Sequence, residues 1–220
     1  MEGMFQDASA FNQPLYNWAS DVSNVTIMES MFEGATQFNR DISNWNTKDV
    51  SNMRNMFKNA SAFNEQLNDW SVNEVTTMEG MFQGALTFDQ PLNNWSVNKV
   101  TTMEGMFQET SAFNQPLDKW DVSINLQDAS GMFSGASSFN QDISGWFPRG
   151  SYTIKNMTNM FRDAIAFNEI VYTWDVSNVT EMNNMFNGAT AFGTGNEVTL
   201  QPWGNLSDVS IIDISNNTSN

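Results

Sequence analysis

The sequence is 220 residues long and carries 25 acidic against 9 basic side chains, which gives a formal net charge of −16. A field of that sign repels nucleic-acid backbones and anionic membrane surfaces, so neither is an expected partner. The chain contains no cysteine and no histidine, which excludes disulfides, thiolate catalysis and imidazole chemistry. No run of about 18 apolar residues occurs, and we expect no membrane insertion by this segment.

One motif recurs along the chain at intervals of 25 to 28 residues. A unit contains a Met-Phe pair, a second Phe six residues later, then an aliphatic residue and a Trp. All 15 Met and all 8 Trp fall at fixed positions of this motif, which predicts that like residues stack on one another in a repeated core. The Met-Phe pairs that number units 1 to 8 are Met4-Phe5, Met31-Phe32, Met56-Phe57, Met81-Phe82, Met106-Phe107, Met132-Phe133, Met160-Phe161 and Met185-Phe186.

Two elements are predicted in each unit, in chain order. First, apolar residues such as Val75, Met78, Met81 and Phe82 follow helical spacing, which predicts a short helix. Then a proline in several units, such as Pro91, excludes a helix interior and indicates a short extended segment around the aliphatic residue. Strands stack at about 4.8 Å while helices are about 10 Å wide, so we expect a right-handed α/β solenoid with parallel strands on one face and helices on the other.

The domain organisation predicted from the repeat is a single solenoid domain over residues 1–203. Residues 204–220 drift off the pattern and are expected to form a C-terminal cap or a truncated unit. Met1 aligns with the middle of a unit, whereas solenoids usually cover their end cores with caps. We therefore expect the chain to be a fragment of a longer protein.

Several units resemble a known repeat. The stretches "MFNGATAF", "FNQDISGW" and "WDVSNVTEMNNMF" are similar to the repeats of BspA-type leucine-rich-repeat surface proteins and of mycoplasma-type lipoproteins, and the resemblance covers residues 1–203. It implies a leucine-rich-repeat-like array of about eight coils of 25–28 residues. It also implies a cell-surface or extracellular location and a role in adhesion.

The candidate binding residues lie on either side of the aliphatic position and in the long loop from Trp146 to Ile154. The residues beside the aliphatic position, here called the flanking surface, should face away from the core, and they vary from unit to unit as a recognition surface does. The only aromatic residues outside the motif are Tyr16, Phe147, Tyr152 and Tyr172, which are expected to be exposed anchors. The complete candidate set is Tyr16, Asp41, Asn68, Asn93, Asp118, Asp142, Phe147, Tyr152 and Tyr172.

The Asn that follows the second Phe of most units has two interpretations. It is either a ladder that satisfies backbone groups between units or a polar binding stripe. Similarly, Asp118 and Asp142 on neighbouring units are expected within ~5–7 Å, where two carboxylates serve glycoside hydrolysis or Ca²⁺ binding in some proteins.

The function predicted from these patterns is a non-catalytic interaction or adhesion module on a cell surface. It binds a protein or glycan through the flanking surface and needs no cofactor or metal. The alternative is a structural scaffold subunit of a larger assembly, in which the same surface contacts fixed partners.

Overall fold

The computed structural model describes residues 1–122, 124–150 and 153–194. Within them the only helices are two short 3₁₀ helices, Tyr16–Ala19 at the end of unit 1 and Asp21–Asn24 in the loop to unit 2. No helix in this described part is long and apolar enough to cross a membrane. The architecture therefore depends on contacts between units rather than on long regular elements.

Two sequence predictions fall on residues outside these ranges. The expected cap or truncated unit at 204–220 lies there, and so does Tyr152 of the long loop.

Successive units pair in parallel four residues before the Met of each Met-Phe pair. In unit 4 the Thr76 N–H donates to Ser51 O of the preceding unit at 2.9 Å, and the Met78 N–H donates to Thr102 O of the following unit at 3.1 Å. Each pairing is a single-residue bridge, so no continuous β-strand forms in the described residues. The bridges are Ile27–Asn52, Asn52–Thr77, Thr77–Thr102, Thr102–Asp128, Asp128–Asn156 and Asn156–Glu181.

The segment predicted to be helical is a series of tight turns. Met81 N–H donates to Met78 O within the unit at 3.2 Å, whereas Phe82 N–H donates to Met106 O of the next unit at 2.9 Å. Gly80 and Gly84 have φ of 59° and 68°, and a left-handed residue cannot continue a right-handed helix. The predicted helices are therefore wrong, because alternate amides pair with the next unit instead of within the segment.

Residues with the left-handed backbone conformation, at positive φ, recur at two positions in each unit. At the second position, glycine alternates with a residue that carries a side chain. At Gly34 of unit 2, an added Cβ would lie 2.5 Å from Asp7 Oδ1 of unit 1, so the side chain of one unit occupies the space above the glycine of the next. The alternating series is Asp7, Gly34, Asn59, Gly84, Glu109, Gly135, Asp163 and Gly188.

The strands predicted around the aliphatic residues are also wrong, since the parallel pairing lies elsewhere in the unit. The carbonyl of Leu67 shows why. It accepts the backbone N–H of Trp70 at 3.0 Å and the indole N–H of Trp95, from the next unit, at 2.9 Å. Both hydrogen bonds use the oxygen that a strand ladder would require, so a turn and a Trp side chain replace the strand.

The core is built from columns of like aromatic rings. Phe82 lies 5.6 Å from Phe57 and 5.7 Å from Phe107 between ring centroids, and within its own unit it stacks on Phe88 at 4.1 Å. The Trp column continues in the same way, with Trp95 at 6.3 Å from the next Trp of the series. Since stacked rings favour such offset contacts, repetition of one residue type at one position lets the same ring contact recur from unit to unit.

Candidate functional site

The exposed aromatic residues of the flanking surface lie far apart in the array. Tyr16, in the first 3₁₀ helix, has 62% of its surface exposed, and Tyr172 of unit 7 has 37%. Ile170, two residues before Tyr172, is 42% exposed. The structure thus places Tyr16 and Tyr172 at the surface as expected but in units 1 and 7, so they do not form one joint anchor.

Two of the candidate aspartates, Asp41 and Asp142, stabilise their own turns. Asp41 Oδ1 accepts hydrogen bonds from the backbone and the hydroxyl of Ser43 at 2.9 and 2.6 Å. Asp142 Oδ1 accepts the backbone N–H of Ser144 at 2.9 Å. These hydrogen bonds lower the pKa of both carboxyls below the ordinary value, because they favour the charged form.

The other three polar candidates form a chain across units 3 to 5. Asn68 Oδ1 accepts the backbone N–H of Asn94 at 3.1 Å, and Asn93 Oδ1 accepts that of Lys119 at 3.1 Å. Asn93 Nδ2 also donates to Asp118 Oδ1 at 2.8 Å. Asn68 and Asn93 therefore serve as links between units, and Asp118 accepts its hydrogen bond from the Asn93 amide.

A cavity of about 340 Å³ opens beside this chain of contacts. Its volume lies within the usual range for ligand pockets. Lys119 and Asp121 bring charges of both signs to its wall, and Asn93, Asn94, Ser96 and Asn98 bring amides and a hydroxyl. The cavity offers hydrogen-bond donors and acceptors together, which suits a polar ligand.

The Asn column is a ladder between units, the first of its two interpretations. Each side-chain Oδ1 accepts the backbone N–H of the same position in the next unit at 2.8 to 3.0 Å, from Asn12 to Gly193. Asp89 serves equally well because only an acceptor is needed, and Gly193 serves because it only donates. The exceptions to asparagine thus follow from the position of each residue in the ladder.

A family model described as a Mycoplasma protein of unknown function, DUF285, matches residues 1–86, 62–151 and 151–210. The chain belongs to the DUF285 family. The three DUF285 matches cover successive and partly overlapping stretches, so the prediction of a mycoplasma-type repeat protein is confirmed. Searches of curated proteins and of solved structures found no match.

The prediction that Phe147 is an exposed anchor of this DUF285 chain is wrong. Its ring is fully buried and lies edge-on to Trp174 at 5.0 Å between ring centroids. The loop is held inward from unit 7, because Asp175 N–H donates to Phe147 O at 2.7 Å and Gly150 N–H donates to Asp175 Oδ2 at 2.8 Å. Phe147 is therefore part of the core rather than of a binding surface.

Sequence reasoning missed the two charged residues of the cavity, Lys119 and Asp121. They flank Trp120, one and three residues beyond Asp118, whereas the flanking surface includes only the residues on either side of the aliphatic position. The signal that would have found them is the charge itself, since units 3 and 4 carry Asp69 and Asn94 where unit 5 carries Lys119. Among the residues that the structure describes, no group of three or more carboxylates is placed to hold a metal ion.

Proposed function

We propose that this DUF285 chain is a non-catalytic interaction module of a cell surface, which binds a protein or glycan through its flanking surface. We propose further that its units wind as a right-handed solenoid of the BspA-type leucine-rich-repeat kind. The parallel pairing of each unit with the next supports the winding. The resemblance of the repeats supports the location.

The observation that carries this proposal is that the unit has constant buried positions and variable exposed positions. The constant motif positions are buried in the stack, as Phe82, Phe88 and Trp95 are. The positions around the aliphatic residue differ between units and reach solvent, and Tyr16 is the most exposed aromatic side chain of the part of the chain that the structure describes. A repeat that keeps its core constant and changes its surface can acquire specificity without loss of stability.

The cavity beside Lys119 gives this proposal a place for first contact. An ammonium group, a carboxylate and three amides within one wall can hydrogen-bond to hydroxyl, carbonyl or charged groups of a ligand. Charged groups of both signs at a surface also determine orientation and association rate. We therefore assign the central contact to units 4 and 5, with the exposed rings of Tyr16 and Tyr172 at the periphery.

The test is a binding screen with the whole chain against a glycan array and against surface proteins of candidate partner cells. A double charge reversal, Lys119→Glu with Asp121→Lys, is compared with the control Lys58→Glu on another side of the stack. We expect the double variant to weaken capture at least about tenfold, as central contact residues do, and the control to bind normally. Equal capture by wild type and double variant would refute the assignment of the site.

The alternative function, a scaffold subunit, uses the same surface for a permanent contact. Size-exclusion chromatography of the native protein separates the two functions. A scaffold subunit elutes within a stable complex at every dilution, whereas a recognition module elutes alone and binds its ligand reversibly.

A further inference from the structure

A second cleft, of about 570 Å³, lies on the side of the stack formed by the Met-x-x-Met-Phe turns. Its floor is unit 6, where Ser130 and Ser134 are shorter than the residues at the same positions of unit 5, and where Gly131, like Gly105 of unit 5, has no side chain. Unit 5 carries Glu104 and Gln108 at the serine positions. A Cβ added at Gly131 would meet no heavy atom within 4 Å. The cleft is therefore a gap where unit 6 places small residues between the longer side chains of Glu104 and Gln108 in unit 5 and of Arg162 in unit 7.

The walls of the cleft carry more negative than positive charge. Glu104 and Glu109 project from unit 5, and Asp163 and Glu181 belong to units 7 and 8. The cation of the lining, Arg162, has its Nε 3.4 Å from Asp163 Oδ2. Four carboxylates against one guanidinium leave the cleft anionic, and a concave surface concentrates such a field.

The unit-5 wall brings like charges close together. Burial raises the pKa of Glu104, and the negative charges of Glu79 and Asp128 raise it further. A bound cation would relieve that repulsion. In addition, Thr158 Oγ1 and Asn159 Oδ1 line the cleft as buried oxygens without a hydrogen-bond partner in the described structure, and each can accept a hydrogen bond.

We propose that this cleft binds an aliphatic polycation whose ammonium groups contact the carboxylates of both walls. Adjacent units are 5.5 Å apart, measured between the ring centroids of Phe133 and Phe107 and of Phe133 and Phe161. The walls formed by units 5 and 7 are therefore about two such spacings apart. Two ammonium groups joined by a short aliphatic chain span that gap. Free polyamines and paired lysines of a basic peptide share this chemistry. The site is on a different surface from the proposed recognition site and does not depend on it.

Isothermal titration of the whole chain with spermidine, with a Lys-Gly-Lys peptide and with calcium chloride tests the proposal. Ser134→Gln fills the cleft with the residue that units 4 and 5 carry at this position, Gln83 and Gln108, so the fold should be retained. Glu104→Gln removes one wall charge. The matched control is Ser138→Gln, an exposed change in the same unit but outside the cleft.

We expect spermidine or the peptide to bind and each cleft variant to weaken binding about tenfold or more, with the control unchanged. Whichever probe binds identifies the source of the ammonium groups. Binding should also weaken as salt rises from low to physiological concentration. The proposal is overturned if neither amine binds, if Ser134→Gln leaves the affinity unchanged, or if calcium alone binds.

Discussion

The Asn ladder predicts that one acceptor atom per unit is needed and that the rest of the side chain is not. Asn140 is the clearest position, since its Oδ1 accepts the backbone N–H of Asn168 at 2.8 Å and both neighbours in the ladder are also asparagines. Asn140→Leu removes the acceptor and leaves a half-buried N–H unpaired. An unpaired amide costs about 1–3 kcal/mol, so we expect a loss of roughly 2 kcal/mol. Asn140→Asp keeps the acceptor, as Asp89 does in unit 4, and should cost less than about 1 kcal/mol.

The assay is urea unfolding followed by Trp fluorescence, combined with native-state hydrogen exchange at the amide of Asn168. The leucine variant should unfold at lower urea, and the Asn168 amide should exchange faster than its neighbours. The aspartate variant should behave like wild type at neutral pH. If the leucine variant were as stable as wild type with its Asn168 amide still protected, the ladder would not hold the units together.

Three further predictions concern the stack. Trp95→Ala removes a buried ring and the indole bond to the preceding unit, and urea unfolding should show a loss of about 3–5 kcal/mol. Gly34→Ala puts a Cβ against Asp7 Oδ1 at a left-handed position, which should cost about 1–2 kcal/mol; a thermal melt should show partial recovery when Asp7→Gly is added. The pKa of Asp41 and of Asp142 is lower in the folded chain than in the unfolded chain. As pH falls, these carboxyls therefore take up protons in the unfolded state before they do so in the folded state. The stability from these carboxyls is present above about pH 4 and lost as pH falls through the folded pKa, so Asp41→Asn with Asp142→Asn should flatten the acid side of a pH–melting profile.

The sequence was sufficient to identify the repeat and the core but not the backbone of each unit. Val75, Met78 and Met81 follow helical spacing, and they are buried as a helix would bury them. Gly80 and Gly84, four residues apart, are the contrary signal, because two glycines in one short segment disfavour a helix and permit left-handed turns. The spacing of apolar residues determines which side chains are inside, and two different backbones satisfy it.

The candidate site was predictable only where the repeat itself determines the environment. Tyr16 is exposed as its position beside the aliphatic residue predicts. Phe147 is buried in a loop whose Phe147 carbonyl accepts the backbone N–H of Asp175 in the following unit, and a loop of irregular length has no counterpart in other units from which to infer that contact. The cavity at Lys119 depends in the same way on which side chains neighbouring units place together.

The central claim is that the constant positions build the stack while units 4 and 5 of the flanking surface bind the ligand. Hydrogen–deuterium exchange of the whole chain, with and without a ligand captured in the binding screen, tests it most directly. We predict that ligand slows exchange in residues 93–98 and 118–121, while the buried Met-Phe turns remain equally protected. Slower exchange confined to other units, with 93–98 and 118–121 unchanged, would contradict the claim.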